Sequence, residues 1–113
     1  MNAENVIIRE KRRNPRVKEA IPVELVLLDE VNTAHGLTKD LSCVGAKIIM
    51  DHSLPSQTQY SITLDLPAGK QHLQGIVVRS EKIKEDFEIS LYFNDITMET
   101  RRRINDFVKE KWV

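Results

Sequence analysis

Tyr60-Ser61-Ile62-Thr63-Leu64-Asp65-Leu66, followed by Pro67-Ala68-Gly69-Lys70, alternates apolar and polar side chains at every step and then runs into a turn. Successive side chains of an extended chain point to opposite faces. This segment can therefore bury Tyr60, Ile62, Leu64 and Leu66 while Ser61, Thr63 and Asp65 meet water. A helix would scatter the same residues around its axis. Pro-Ala-Gly-Lys is the kind of sequence that reverses a chain between two strands. The same two-residue period recurs upstream in Ile21, Val23, Leu25 and Leu27, and downstream in Phe87, Ile89, Leu91 and Phe93. Between these segments the sequence predicts a strand over residues 32–42, entered through a turn at Asp29-Glu30. A third strand, residues 46–50, opens at Gly45, and a loop over 52–56 holds Pro55. A longer strand spans 73–83, with Gly75 inside it as a site for a bulge or bend, and Lys84-Glu85-Asp86 turns the chain back.

Six short strands at regular spacing predict a mainly β fold: a six-stranded antiparallel barrel, closed or nearly so, which removes exposed sheet edges. The period changes at the C-terminus, where Ile104, Phe107, Val108 and Trp112 recur at helical spacing. Asp95 or Thr97 can cap this helix, Glu99 suits the positive end of its dipole, and Lys109 and Lys111 suit the negative end. The helix is expected over one opening or side of the barrel, with Trp112 as a packing anchor. Residues 1–19 show no sustained period and read as a flexible N-terminal arm. Residues 20–113 form the barrel with its C-terminal α-helix, and neither an internal repeat nor a second domain is evident.

Composition narrows the function classes. The 113 residues carry no formal net charge, so no whole-molecule field draws the protein to nucleic acid or anionic lipid. The lone Cys43 forms no internal disulfide and favours a reducing compartment. No apolar run approaches the ~18 residues that span a bilayer, and the N-terminus is not a secretory signal. The expectation is a cytoplasmic protein without membrane insertion. His35, His52 and His72 lack metal-ligand spacing, so no metal or cofactor is expected. Cys43 reads as a small buried hydrophobe.

Charge is placed unevenly, however. Residues 9–18 hold Arg9, Lys11, Arg12, Arg13, Arg16 and Lys18 against Glu10 alone, and Arg101-Arg102-Arg103 form a second basic run. The second run reads as a solvated helix face. In the first, Pro15 pushes Asn14 out of the α region, so Arg12 and Arg16 do not sit one helical turn apart. They would be about 13 Å apart in extended chain, and a bend at Asn14-Pro15 brings them closer, as a clamp. Guanidinium forks fit phosphate oxygens and the O6/N7 edge of guanine. Far along the chain, Asp40-Leu41-Ser42-Cys43-Val44-Gly45 closes the second strand. Strand alternation would place the Asp40 carboxylate and the Ser42 hydroxyl side by side. The carboxylate can accept from the ring and exocyclic N–H groups of guanine. Taken singly each cluster has a plainer reading. The arm can be a solvated tail, Asp40 and Ser42 can form a local side-chain-to-backbone turn, and Gly45 can supply a positive φ.

The order of the clusters is more specific than either one. Arg12 and Arg16, a strand, then Asp40, Ser42 and Gly45 resemble the two motifs of the PilZ family of cyclic di-GMP receptors. The likeness covers nearly the whole chain, and the barrel with a terminal helix is that family's architecture. The resemblance implies a receptor, not an enzyme, with Arg12, Arg16, Asp40, Ser42 and Gly45 as ligand contacts. Arg13 resembles a commonly basic position that could reach a phosphate. The residue before the arginine motif, here Lys11, influences in this family whether one ligand or a stacked pair is held. The implied mechanism is closure of the arginine arm over the ligand, with the signal passed to an unidentified downstream protein. A homodimer is left open. Two rivals accompany this reading. One is a structural adaptor of the same fold serving pilus or flagellar machinery without nucleotide. The other is a nucleic-acid-binding barrel, disfavoured because aromatic content is 5% and most of those residues fall at core-facing positions, whereas single-strand binders stack bases on surface aromatics.

Overall fold

The alternating segments pair as strands. The computed structural model describes residues 15–27 and 33–111. Its elements are β1 Pro22–Leu27, β2 Thr33–Leu41, β3 Gly45–Met50, β4 Gln59–Leu66, β5 Gly69–Ile83, β6 Asp86–Asp95 and helix α1 Met98–Lys111. The strands close into a barrel in the order β1-β2-β3-β6-β5-β4, and every pairing is antiparallel. The expected six-stranded antiparallel barrel with a C-terminal helix is therefore the fold. The Asp29-Glu30 turn and Trp112 lie outside the described residues.

Each strand sends alternate side chains inward. In β4 these are Tyr60, Ile62, Leu64 and Leu66, all buried. They meet Val23 and Leu25 of β1, Ile48 of β3, Val77 of β5 and Ile89 of β6 in one continuous core. Burying each such side chain fully stabilises the fold by about 1.5–3 kcal/mol. The β4–β5 turn is tighter than the sequence suggested. Leu66 already pairs with Gly69, leaving Pro67-Ala68 as the reversal. Gly69 adopts a φ of 141°, a conformation that side chains with a Cβ rarely accept. The register of β5 against β6 shifts between Gln74 and Gly75, at the glycine expected to mark a bulge. Asp86, expected in a turn, is already the first residue of β6.

Thr97 is the helix cap. Its Oγ1 accepts from the Thr100 N–H at 3.1 Å, satisfying one of the donors a helix start leaves free. Ile104, Phe107 and Val108 face the core. Arg103, Phe107 and Glu110 share a cleft with Leu66, Pro67, Ala68 and Gln71, so α1 lies against the β4–β5 hairpin.

Residues 17–21 lie against the barrel wall. Val17 and Leu41 exchange two backbone hydrogen bonds of 2.9 and 3.0 Å, and the Val17 side chain is buried. Farther along, the Thr38 N–H donates to the Ile21 carbonyl at 2.9 Å. The buried Thr38 hydroxyl accepts from the Ile21 N–H at 2.8 Å and donates to the Glu19 carbonyl. A threonine hydroxyl both donates and accepts, so this one side chain joins the incoming chain to β2 where the regular ladder is interrupted. The root of the segment assigned to the arm is thereby tied along β2.

Candidate functional site

Asp40 owes its position to an irregularity. The register of β2 against β3 runs from Thr38↔Ile48 to Asp40↔Lys47, leaving Lys39 as an extra residue. Such a bulge bends and twists the strand locally. Just beyond it, the Val17–Leu41 bridge sets the approach of the incoming chain. The outcome is a direct contact: Arg16 Nη1 lies 3.3 Å from Asp40 Oδ2. Two residues from separate motifs, 24 positions apart in sequence, meet on the barrel surface. Both side chains keep access to solvent, at 35% and 18% exposure.

Ser42 departs from expectation. The strand ends at Leu41, so alternation does not carry Ser42 to the outer face beside Asp40. The residue is 2% exposed. Its Oγ accepts from the Val44 N–H at 3.2 Å and donates to the Gly45 carbonyl at 3.4 Å. The hydroxyl thus shapes the β2–β3 turn, as Ser side chains do when they bond backbone two residues on. Gly45 is required for a different reason from a positive φ. It starts β3 against β6, and a Cβ there would overlap the Leu91 carbonyl oxygen. Cys43 is buried in the core beside this turn. Arg12, Arg13 and Lys11 lie outside the described residues.

Arg16, Asp40, Gly45, Lys47, Ser90 and Tyr92 line a groove of about 180 Å³. Ligand pockets typically hold ~300–1,000 Å³, so this groove is small for one. Lys47 and Tyr92 were not singled out from the sequence. Tyr92 was nevertheless visible there as the outward phase of the Phe87–Phe93 alternation. Lys47 sits opposite both Asp40 on β2 and Ser90 on β6. Beside the groove, Glu88 receives Lys39 at 2.8 Å and Lys47 at 3.8 Å. The Lys39 hydrogen bond holds the Glu88 carboxyl below its ordinary range despite burial, and Glu88 in turn raises Lys39. Within the groove itself, Arg16 and Lys47 against Asp40 leave an excess of positive charge. A larger concavity of about 530 Å³, farther along β2 and β3, has Glu24, Asp51, Asp65 and Asp86 against Lys70. That sign repels an anion, so of these two the smaller groove is the better anion site.

The PilZ domain family model matches residues 10–110. The chain belongs to the PilZ domain family. This PilZ domain superposes on the Bacillus subtilis inhibitor of motility with a TM-score of 0.79 at 14% identity, covering 89% of this chain and 51% of that one. It also matches the Escherichia coli YcgR PilZ domain solved with c-di-GMP, at TM-score 0.73 and 16% identity, covering 90% and 92% of the two chains. Against the Klebsiella pneumoniae MrkH–c-di-GMP complex the values are 0.73 and 16%, with coverage of 89% and 52%. The chain thus spans about half the length of the inhibitor of motility and of MrkH. No curated protein sequence matches it. In this PilZ domain Arg16 and Asp40, far apart in sequence, meet at the barrel surface.

Proposed function

We propose that this PilZ domain is a receptor for cyclic di-GMP, which it holds in the groove at Arg16 and Asp40. The observation that carries the reading is the 3.3 Å contact between those two residues. It puts a guanidinium fork and a carboxylate acceptor at the mouth of one positively biased groove. The E. coli and K. pneumoniae relatives solved with c-di-GMP share the fold and support the same ligand.

Each residue then has a chemical task. Asp40 accepts from guanine N1–H and N2–H. Arg16 leaves its pairing with Asp40 to engage the O6/N7 edge or a phosphate. Ser42 holds the turn that aims Asp40, and Gly45 keeps β3 close to β6 beneath the ligand. Arg12 closes from the N-terminal side, with Arg13 toward a phosphate and Lys11 at the position that bears on whether one ligand or a stacked pair is held. Bound phosphates neutralise the like charges of residues 9–18, which favours closure of the arm. The closed surface then signals to a partner protein in the cytoplasm, and the domain acts as a receptor rather than a catalyst.

Titration calorimetry tests the reading with cyclic di-GMP and, as a control, cyclic di-AMP. Adenine offers Asp40 no N1–H and Arg16 no O6, so the guanine ligand should bind at least ~10-fold more tightly. Equal affinities would refute base readout at Asp40. No heat with either ligand would leave the structural-adaptor alternative standing in its place.

A further inference from the structure

A cyclic dinucleotide carries two guanines, and the Asp40 carboxylate can accept from the Watson–Crick edge of only one. The second base needs its own partner, and the groove contains one. Tyr92 is 54% exposed between the buried Leu91 and Phe93. Its neighbour across β3 is Gly45, which has no side chain to cover the ring, and its neighbour across β5 is the half-buried Ile76. The ring is therefore backed by apolar surface on one flank and open on the other, toward the groove it lines.

The register sets the spacing. Asp40 faces Lys47, Lys47 faces Ser90, and Tyr92 lies two residues beyond Ser90 on β6. Strand spacing and rise put Asp40 and Tyr92 about 12 Å apart at their backbones; the Lys47 backbone stands between them, and its ammonium, 3.8 Å from Glu88, swings away from that carboxylate to reach a phosphate. That order of acceptor, cation and aromatic ring matches base, phosphate and base. We infer that Tyr92 stacks on the second guanine of the bound dinucleotide, with Lys47 beneath the intervening phosphate. This rests on the receptor reading above.

The test is calorimetry of cyclic di-GMP against wild type, Tyr92→Ala, Tyr92→Leu and Tyr92→Phe, with urea unfolding of each. Base–aromatic stacking predicts that Tyr92→Ala weakens binding roughly 10-fold or more. Tyr92→Phe keeps the ring and should retain most of the affinity. Tyr92→Leu keeps apolar bulk without a π-face and should behave like Tyr92→Ala, and it carries the test should the alanine variant unfold. Tyr92→Ala or Tyr92→Leu within about twofold of wild type would overturn the inference, as would Tyr92→Phe as weak as Tyr92→Ala. The receptor reading fails separately, when the wild type itself gives no binding. Where Arg16→Ala loses the ligand and Tyr92→Ala does not, the receptor reading stands and the stacking role falls.

Discussion

Replacing Asp40 by alanine separates a ligand contact from a structural one. Among the described residues the Asp40 carboxylate contacts Arg16 at 3.3 Å and faces Lys47 across the strand pair. The Arg16 side chain is about one-third exposed, so solvent screens the pair and its loss costs at most ~1 kcal/mol. The cross-strand charge pair adds a few tenths, on the order of 0.2–1 kcal/mol. Urea unfolding should therefore shift by no more than about 2 kcal/mol in all. Binding should change far more. Two guanine N–H groups lose a charged acceptor, at about 1.5–3 kcal/mol each. Freeing Arg16 from its pairing returns at most ~1 kcal/mol. The net expectation is affinity for cyclic di-GMP reduced at least ~30-fold, measured by calorimetry on protein shown by urea titration to be folded. Near-wild-type affinity in Asp40→Ala would refute the argument. A stability loss beyond about 3 kcal/mol would refute it differently, by showing the carboxylate to be a structural element.

Three further outcomes follow from the same geometry. Thr38→Val keeps the shape of the side chain but removes the acceptor of the Ile21 N–H and the donor to the Glu19 carbonyl. Urea unfolding should report a loss of about 2 kcal/mol, and a change under ~0.5 kcal/mol would mean this tie is not needed. Gly45→Ala forces a methyl against the Leu91 carbonyl and should cost about 1–3 kcal/mol. Weaker ligand binding in that variant would accompany displacement of β3 from β6, seen as shifted backbone amide resonances of both strands. Glu88→Gln concerns pH. The folded state holds the Glu88 carboxyl below its ordinary value of 4.5, chiefly through Lys39. Its stabilisation is therefore present above pH 4.5 and is lost as pH falls through the depressed value. Wild type should melt higher than Glu88→Gln at pH 7, and the gap should close on acidification below 4.5. A gap independent of pH would exclude the ion pairs as its source.

Much of the architecture was legible in the chain because its signals are local. Tyr60–Leu66 alternates cleanly, and a strand with one buried face permits only one phase. Ile104, Phe107 and Val108 repeat at helical spacing, with Thr97 ready to cap. Each pattern depends on neighbours within a few residues. At Asp40-Leu41-Ser42 the expected side-by-side carboxylate and hydroxyl do not form. Period two holds only inside a strand, and β2 stops at Leu41, where the Ser42 hydroxyl turns to the backbone of Val44 and Gly45.

The sequence alone determined a six-stranded β-barrel with a terminal helix, and it carries the side chains from which a guanine-nucleotide site is proposed. Tertiary structure decided which of them meet. β3 pairs with β6 rather than with its sequence neighbour β4, and only that pairing brings Tyr92 beside Gly45 and Lys47 toward Ser90. The Val17–Leu41 bridge and the bulge at Lys39 bring Arg16 onto Asp40. Side-chain periodicity is a property of one strand, whereas a site drawn from three strands and an incoming chain depends on long-range register, which closure of the barrel sets.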